Sequence, residues 1–191
     1  MTDPLLFALA VLALLATPGP TNTLLATAGA SVGLRRALPL LPAETAGYLV
    51  AISAIGYLLG PIVAGAPAFA MALRLLVGAY LLHVAWKLWR GAGTPAASGF
   101  ITPSRIFLTT LLNPKAIVFA LGIVPVESEG GLLYLAAFAV LCASVALGWI
   151  GAGALMGRAA QAGGHGALVP RLGAAIVSAF AVLLVSAPLL R

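Results

Sequence analysis

Six apolar segments dominate this sequence, and each is long enough to cross a lipid bilayer. A helix advances about 1.5 Å per residue, so about 20 apolar residues span a hydrocarbon core about 30 Å thick. The segments are residues 4–28, 38–63, 67–88, 106–124, 132–155 and 168–190. With 62% hydrophobic and 7% charged residues, the chain has too few polar side chains to cover a soluble core. We therefore predict an all-α membrane protein with six transmembrane helices and a single domain over residues 1–191.

Basic residues are concentrated in the connections after the first, third and fifth segments: Arg35, Arg36, Lys87, Arg90, Arg105, Arg158 and Arg171. The opposite side holds Asp3, Glu127, Glu129, Arg74 and Arg191. Since basic loops stay on the cytoplasmic side, we predict both termini outside. No basic residue precedes Leu5, which favours a retained first span over a secretory signal. The net charge of +6 belongs mainly to these loops, so we expect membrane lipid, and no nucleic acid, among the partners.

Two proline-containing stretches interrupt apolar segments near their middle. The first comprises Thr17, Pro18, Gly19, Pro20, Thr21 and Asn22, and the second comprises Asn113, Pro114 and Lys115. Proline removes a backbone donor and clashes with the preceding turn. In hydrocarbon such a break is tolerated only where protein or a watery cavity surrounds it. Paired interruptions in corresponding segments are typical of a transport site.

The positions of the two interruptions also predict an inverted repeat. Each half of the chain holds three segments, so the second half enters the membrane with inverted topology. The interruptions fall in the first segment of each half, and Arg-Leu pairs at Arg74 and Arg171 lie near the start of the last segments. We predict two inverted three-helix repeats, at about residues 1–90 and 104–191, with spans one and four broken near mid-membrane.

The helix that restarts after Pro20 is a candidate binding element. Its first amides, on Thr21, Asn22 and Thr23, lie at the positive end of a helix, which suits a carboxylate. The alternative is a simple kink, in which Thr17 or Thr21 bonds to the freed carbonyls. The matched interruption in the fourth segment favours substrate binding.

Lys115 is the second candidate, because an ammonium near mid-membrane usually faces a cavity or a partner. It would hold a substrate carboxylate or exchange a proton. The alternative is that its long stem carries the charge to an interface. Asn113 beside it contacts substrate or, as an equally good interpretation, caps the restarted helix.

Glu44 is the only acidic residue inside an apolar segment, and Tyr48 follows one helical turn later. We predict that both line a coupling or substrate path, where Glu44 binds an amino group or carries a proton. The alternatives are an ion pair of Glu44 with Arg35, Arg36 or Lys115, and a packing role for Tyr48.

The sequence lacks the residues that metal binding, nucleophilic catalysis or nucleotide binding would need. Two histidines, the single Cys142 and one buried acid make no metal-ligand set. The sequence holds no nucleophile–histidine–acid pattern and no phosphate-binding loop. We therefore predict a membrane transporter rather than an enzyme, with no cofactor and no metal.

Pairs of glycines four residues apart have the spacing of close helix packing. They are Gly29 with Gly33, Gly56 with Gly60, and Gly153 with Gly157. We predict helix contacts at these positions, within the chain or across a homodimer.

Three stretches resemble the LysE/RhtB amino-acid exporter superfamily. They are Thr-Pro-Gly-Pro at 17–20, RLLVGAYLLHVAWK at 74–87 and FLTTLLNPKA at 107–116. The resemblance covers nearly the whole chain in order and spacing. It implies a six-helix exporter in the bacterial inner membrane, which moves amino acids or related small metabolites outward on a proton or ion gradient. The matching motif residues are Pro18, Gly19, Pro20, Asn113, Pro114 and Lys115.

The chain departs from this family at LPLLPAET, residues 38–45, where the family is rich in glycine. Glu44 in this stretch favours a cationic or polar substrate or a coupling site. The alternative to a secondary active exporter is a gated channel or passive pore for a small polar solute. Accumulation against a gradient distinguishes the two, because a channel cannot produce it.

Overall fold

The computed structural model describes residues 3–59, 67–92 and 101–186, and within these ranges the chain is helical and contains no strand. The helices, in chain order, are α1 (Pro4–Ala16), α2 (Pro20–Val32), α3 (Leu34–Ala37), α4 (Leu40–Ala54), α5 (Pro67–Gly91), α6 (Pro103–Leu111), α7 (Pro114–Val118), α8 (Gly131–Ala162) and α9 (Leu168–Ser186). Two π-helical segments, Ile55–Leu59 and Phe119–Ile123, continue α4 and α7. The predicted all-α class is confirmed.

The described helices include two to four candidates for membrane spans, which fits an integral membrane protein. Leu34–Tyr57 and Gly131–Ala162 are continuous, with 24 and 32 residues. Two further candidates are bent pairs, in which α1 and α2 meet at 64° and α6 meets the helix from Pro114 to Ile123 at 50°. A shorter apolar helix covers Leu168–Val182.

The predicted third and sixth segments coincide with α5 and α9. The ends of the second and sixth segments, at 60–63 and 187–190, lie outside the described residues, as do Gly60, Arg191 and the side chain of Arg74. The count of six spans, the inverted repeat and the orientation of the termini therefore stay predictions.

Prolines set where several helices begin. Pro4, Pro20, Pro103 and Pro114 each occupy the start of a helix, where the missing N–H has no helical partner to lose. At three of these starts the preceding side chain accepts a bond from the first turn, and Asp3 does so from the amides of Leu5 and Leu6. At the fourth start the preceding residue is glycine, and α2 has no side-chain cap.

Helix α2 lies at the centre of the packing, against α8 and α9, while α4 packs against α6 and α8, and α5 packs against α9. Glycines permit the closest of these contacts. A Cβ on Gly153 would overlap the backbone of Ala26, and one on Gly157 would overlap the backbone of Ala30. Gly29 approaches α8 in the same way at Ile150.

These three glycines therefore make contacts within one chain, and a homodimer stays a prediction. The other two described glycines of the predicted pairs serve different purposes. Gly33 has φ of 80° at the junction of α2 and α3 and nothing near its missing side chain. Gly56 approaches the side chain of Val126.

Two apolar clusters form the core. One gathers residues of α2, α5, α8 and α9 around Leu24, Val84, Ile150 and Val177. The other gathers residues of α1, α4 and α8 around Val11, Ile52 and Phe138. Along α1–α2, α4 and α6–α7, the buried polar residues other than Thr27 fall between members of the two clusters. The chain therefore places a polar layer between two apolar ones.

Candidate functional site

The two helix interruptions meet at Lys115. Its Nζ donates a hydrogen bond to the carbonyl oxygen of Thr17, and its side chain is only 9% exposed. Gly19 leaves the room for this side chain, since a Cβ at that position would lie 3.2 Å from Cε and 3.3 Å from Nζ of Lys115. The first interruption thus accommodates the charged residue of the second. The ammonium therefore bonds inside the protein instead of extending to its surface.

The first interruption is closed by side chains of its own segment. The Nδ2 group of Asn22 donates to the carbonyl oxygens of Leu15 at 2.6 Å and Thr17 at 3.0 Å. The hydroxyl of Thr17 donates to the carbonyl of Ala13 at 2.9 Å. The carbonyls of Leu15 and Thr17 lose their helical donors at the break, and the bonds from Asn22 replace them. The freed carbonyls are therefore bonded by Asn22, whereas Thr17 makes the usual bond of a threonine to the carbonyl four residues earlier.

One amide predicted to be free at the start of α2 is already bonded. The N–H of Thr23 donates to the carbonyl of Gly19 at 2.9 Å, because Gly19 acts as the cap residue and the first helical bond closes there. The side-chain Nδ2 group of Asn22 is likewise engaged within the protein. The prediction of a free amide was wrong for Thr23, and the backbone amides of Thr21 and Asn22 are the ones that remain candidates.

Asn113 caps the helix that begins after the second interruption, which is one of the two roles predicted for it. Its Oδ1 accepts from the amide of Lys115 at 3.0 Å. Its Nδ2 donates to Thr21 Oγ1 at 3.2 Å and to Tyr48 Oη at 3.0 Å. Asn113 therefore caps α7 and also joins α2 and α4 to the second bent pair.

Glu44 is 1% exposed, and its Oε2 has no hydrogen-bond partner. Of its predicted ion-pair partners, Arg35 and Arg36 are exposed. Lys115 interacts with it electrostatically, although the ammonium itself bonds to Thr17. Leaving a buried carboxyl oxygen without a bond costs free energy. The Oε2 atom of Glu44 is thus a buried acceptor that no group of the described residues satisfies in this structure.

Tyr48 combines the two roles that the sequence left open. Its ring packs edge-on against Phe119 at 5.6 Å and Phe138 at 5.7 Å between centroids. Its hydroxyl accepts from Asn113. The aromatic part therefore belongs to the core, and the hydroxyl belongs to the polar layer.

Thr109 and Thr110 of α6 are buried polar residues that were not predicted from the sequence. Thr110 is fully buried, donates to the carbonyl of Ile106 at 2.8 Å and lies 3.3 Å from Thr21 Oγ1. Thr109 lies 3.1 Å from the hydroxyl of Tyr80. The available signal was proximity in the sequence, since Thr109 and Thr110 precede Asn113 by four and three residues.

The remaining predicted residues frame this cluster. Pro20 is buried and begins α2, and Pro114 is partly buried and begins α7. Thr17 and Pro18 have exposed side chains at the outside of the first bend. The structure therefore brings Gly19, Thr21, Asn22, Glu44, Tyr48, Asn113 and Lys115 together, with Thr17 contributing its carbonyl.

Two cavities in the described part of the chain lie away from the cluster. One, of about 540 Å³, is lined by Gly56 and by residues 120–128. The other, of about 330 Å³, lies between α5 and α9. The cluster itself is enclosed in this conformation. Among the described residues, no group of three or more histidine, cysteine or acidic side chains is arranged to hold a metal ion.

These features define an all-helical membrane protein in which two bent helix pairs enclose a polar cluster with a basic and an acidic side chain. No family model, curated protein or solved structure matches the chain. The function must therefore be inferred from the residues themselves.

Proposed function

We propose that this protein is a secondary active exporter of amino acids or related small metabolites, driven by a proton or ion gradient across the bacterial inner membrane. The observation that carries the proposal is the meeting of two bent helix pairs at Lys115 and the buried Glu44. The resemblance to the LysE/RhtB superfamily supports it, because the matching motif residues are the ones at the two bends.

The cluster has the chemistry that an amino acid requires. A free amino acid carries a carboxylate and an ammonium group close together. Lys115 is the donor for the carboxylate, assisted by the amides of Thr21 and Asn22 at the start of α2. The unbonded oxygen of Glu44 is the acceptor for the ammonium group, or the site of the coupling proton. Asn113 and Tyr48 hold these elements at fixed distances.

The proposal includes six spans arranged as two inverted repeats, with both termini outside. The two bends support it by their likeness, since in each a helix ends, two or three residues intervene, and a new helix begins at a proline. Broken helices at equivalent positions of inverted repeats usually lie near the middle of the membrane and bind the substrate there.

An outward route would lead from the cluster past the π-helical segment Phe119–Ile123. Residues 120–123 of this segment line the cavity of about 540 Å³, which reaches Glu127 and Ser128, on the predicted outer side. A hydrogen bond of 2.6 Å from Tyr57 Oη to the carbonyl of Val126 joins the π-helical segment after α4 to the connection before α8 there. Short π-helical segments occur often at functional sites, and movement of this one would join the cluster to the cavity.

The test is transport by the purified protein in proteoliposomes. Vesicles loaded with a panel of labelled amino acids are given a pH gradient, and efflux is followed with and without a protonophore. We expect one or more amino acids to move against their own gradient and the protonophore to abolish this movement. Movement that stops at equal concentrations would instead establish a channel, and no movement of any solute would refute both.

Two variants assign roles within the cluster. Lys115→Met should lower efflux by about 10- to 100-fold, because a hydrogen bond to a charged group contributes about 1.5–3 kcal/mol. Arg36→Met, which removes an exposed charge, is the control and should keep wild-type efflux. Glu44→Gln should keep binding and lose the response to the pH gradient if Glu44 carries the proton. A raised KM with the response intact would assign it to the substrate instead.

A further inference from the structure

The groove between α5 and α9 has a composition unlike that of the polar cluster. It is lined by Leu82, Ala85, Trp86, Trp89, Ala174, Ala175 and Ser178. Trp89, near the end of α5, lies close to Arg171, near the beginning of α9. Since the groove extends from there along both helices to Leu82 and Ser178, the two helices run antiparallel. The groove is therefore apolar along most of its length and ends between two tryptophans.

Basic side chains gather at the tryptophan end of this groove. The guanidinium carbon of Arg90 lies 4.8 Å from the centre of the Trp86 ring, and Lys87 Nζ lies 5.6 Å from the same ring. The guanidinium carbon of Arg171 lies 5.9 Å from the ring of Trp89. Both tryptophans remain about half exposed, at 50% and 55%, so the cations approach their rings without covering them.

No acidic residue compensates this charge from either helix. The four acidic residues of the chain are Asp3, Glu44, Glu127 and Glu129, and none belongs to α5 or α9. The groove thus combines an apolar channel with an uncompensated basic end and an aromatic rim. A ligand that matches all three parts has an acyl chain, an interfacial segment and an anionic head.

We propose that this groove is a binding site for an anionic phospholipid. Arg90 and Arg171 bind the phosphate, since guanidinium groups pair with phosphate oxygens in a bidentate manner. Trp86 and Trp89 lie at the level of the lipid headgroup, where tryptophan is enriched in membrane proteins. One acyl chain lies along the groove past Ala175 toward Leu82. Basic pockets between membrane helices have this preference for anionic lipid, and the site is independent of the transport proposal.

The test compares lipids by native mass spectrometry and thermal unfolding of the full chain in neutral detergent. We expect phosphatidylglycerol to bind more tightly than phosphatidylcholine and to raise the unfolding temperature. Each basic residue near a membrane surface contributes about fivefold in affinity for anionic lipid, so Arg90→Gln with Arg171→Gln should weaken phosphatidylglycerol binding by about 25-fold. The matched control, Arg35→Gln with Arg36→Gln, removes two exposed charges away from the groove and should leave the affinity unchanged.

A second variant tests the groove without touching its charges. Ala175 is exposed and lines the groove, and Ala175→Leu should block the acyl chain and weaken binding of phosphatidylglycerol. Inorganic phosphate at matched concentration should not raise the unfolding temperature, because it cannot occupy the groove. The proposal is overturned if the two lipids bind equally, if both arginine pairs weaken binding alike, if phosphate alone reproduces the stabilisation, or if Ala175→Leu binds as the wild type does.

Discussion

Asn22→Ala tests whether one side chain holds the first helix interruption together. The Nδ2 group of Asn22 donates to the carbonyl oxygens of Leu15 at 2.6 Å and Thr17 at 3.0 Å. Alanine removes both bonds. The Thr17 carbonyl keeps its bond from Lys115. The Leu15 carbonyl loses the donor from Asn22, and Leu15 is only 2% exposed.

The expected loss follows from these two unequal bonds. The bond to Thr17 contributes about 1 kcal/mol, because its acceptor stays paired. The bond to Leu15 contributes about 1–3 kcal/mol, since its acceptor is left buried without this partner. We therefore expect Asn22→Ala to lower the free energy of unfolding by about 2–4 kcal/mol.

A matched control lies one and a half turns later in the same helix. Thr27 is 1% exposed and its hydroxyl donates to the carbonyl of Thr23 at 2.7 Å. Thr27→Val keeps the shape and removes a bond made within one regular turn, so we expect a loss of about 1 kcal/mol or less. Unfolding of both variants in mixed micelles, titrated with a denaturing detergent, measures the difference. Equal losses in the two variants would refute the idea that Asn22 closes the interruption.

Two further substitutions test the close contacts of glycine. Gly153→Ala should destabilise the protein by about 1–3 kcal/mol, because its Cβ would overlap the backbone of Ala26. The control, Gly151→Ala in the same helix, meets nothing and should be neutral or stabilising by up to about 1 kcal/mol. Equal unfolding temperatures of the two variants would contradict the close contact at Gly153. Gly19→Ala should push the flexible end of Lys115 aside and lower efflux by about tenfold or more. Normal efflux in this variant would show that the contact is unimportant for transport.

The positions of the helices and of both bends could be predicted because their causes are local. Apolar length alone sets which stretches become helices. The prolines at 20 and 114 fix where a helix begins again, since the restriction on φ and the missing N–H belong to the residue itself. The structure accordingly ends α1 at Ala16 and begins α2 at Pro20. No knowledge of the tertiary arrangement was needed for this.

The partners of the polar groups could not be predicted, because they depend on how the helices are packed. The sequence places Asn22 beside a break but does not show that its donors reach back seven and five residues to α1. It also does not show that Thr110 meets Thr21 across 89 residues. The glycine spacings likewise predict close contact without saying which helix is met, and only the packed structure pairs Gly153 with Ala26.

The arrangement at Lys115 suggests why binding and opening would be coupled in the proposed exporter. In this structure the ammonium bonds to the Thr17 carbonyl, and this bond joins the second bent pair to the end of α1. A substrate carboxylate is a stronger acceptor than a carbonyl, because both partners are then charged. Binding of a carboxylate would therefore release the Thr17 carbonyl and loosen the contact between the two bends. A ligand can shift a conformational equilibrium only by its differential affinity for the two states, and exchange of these acceptors supplies such a difference at the point where the two pairs meet.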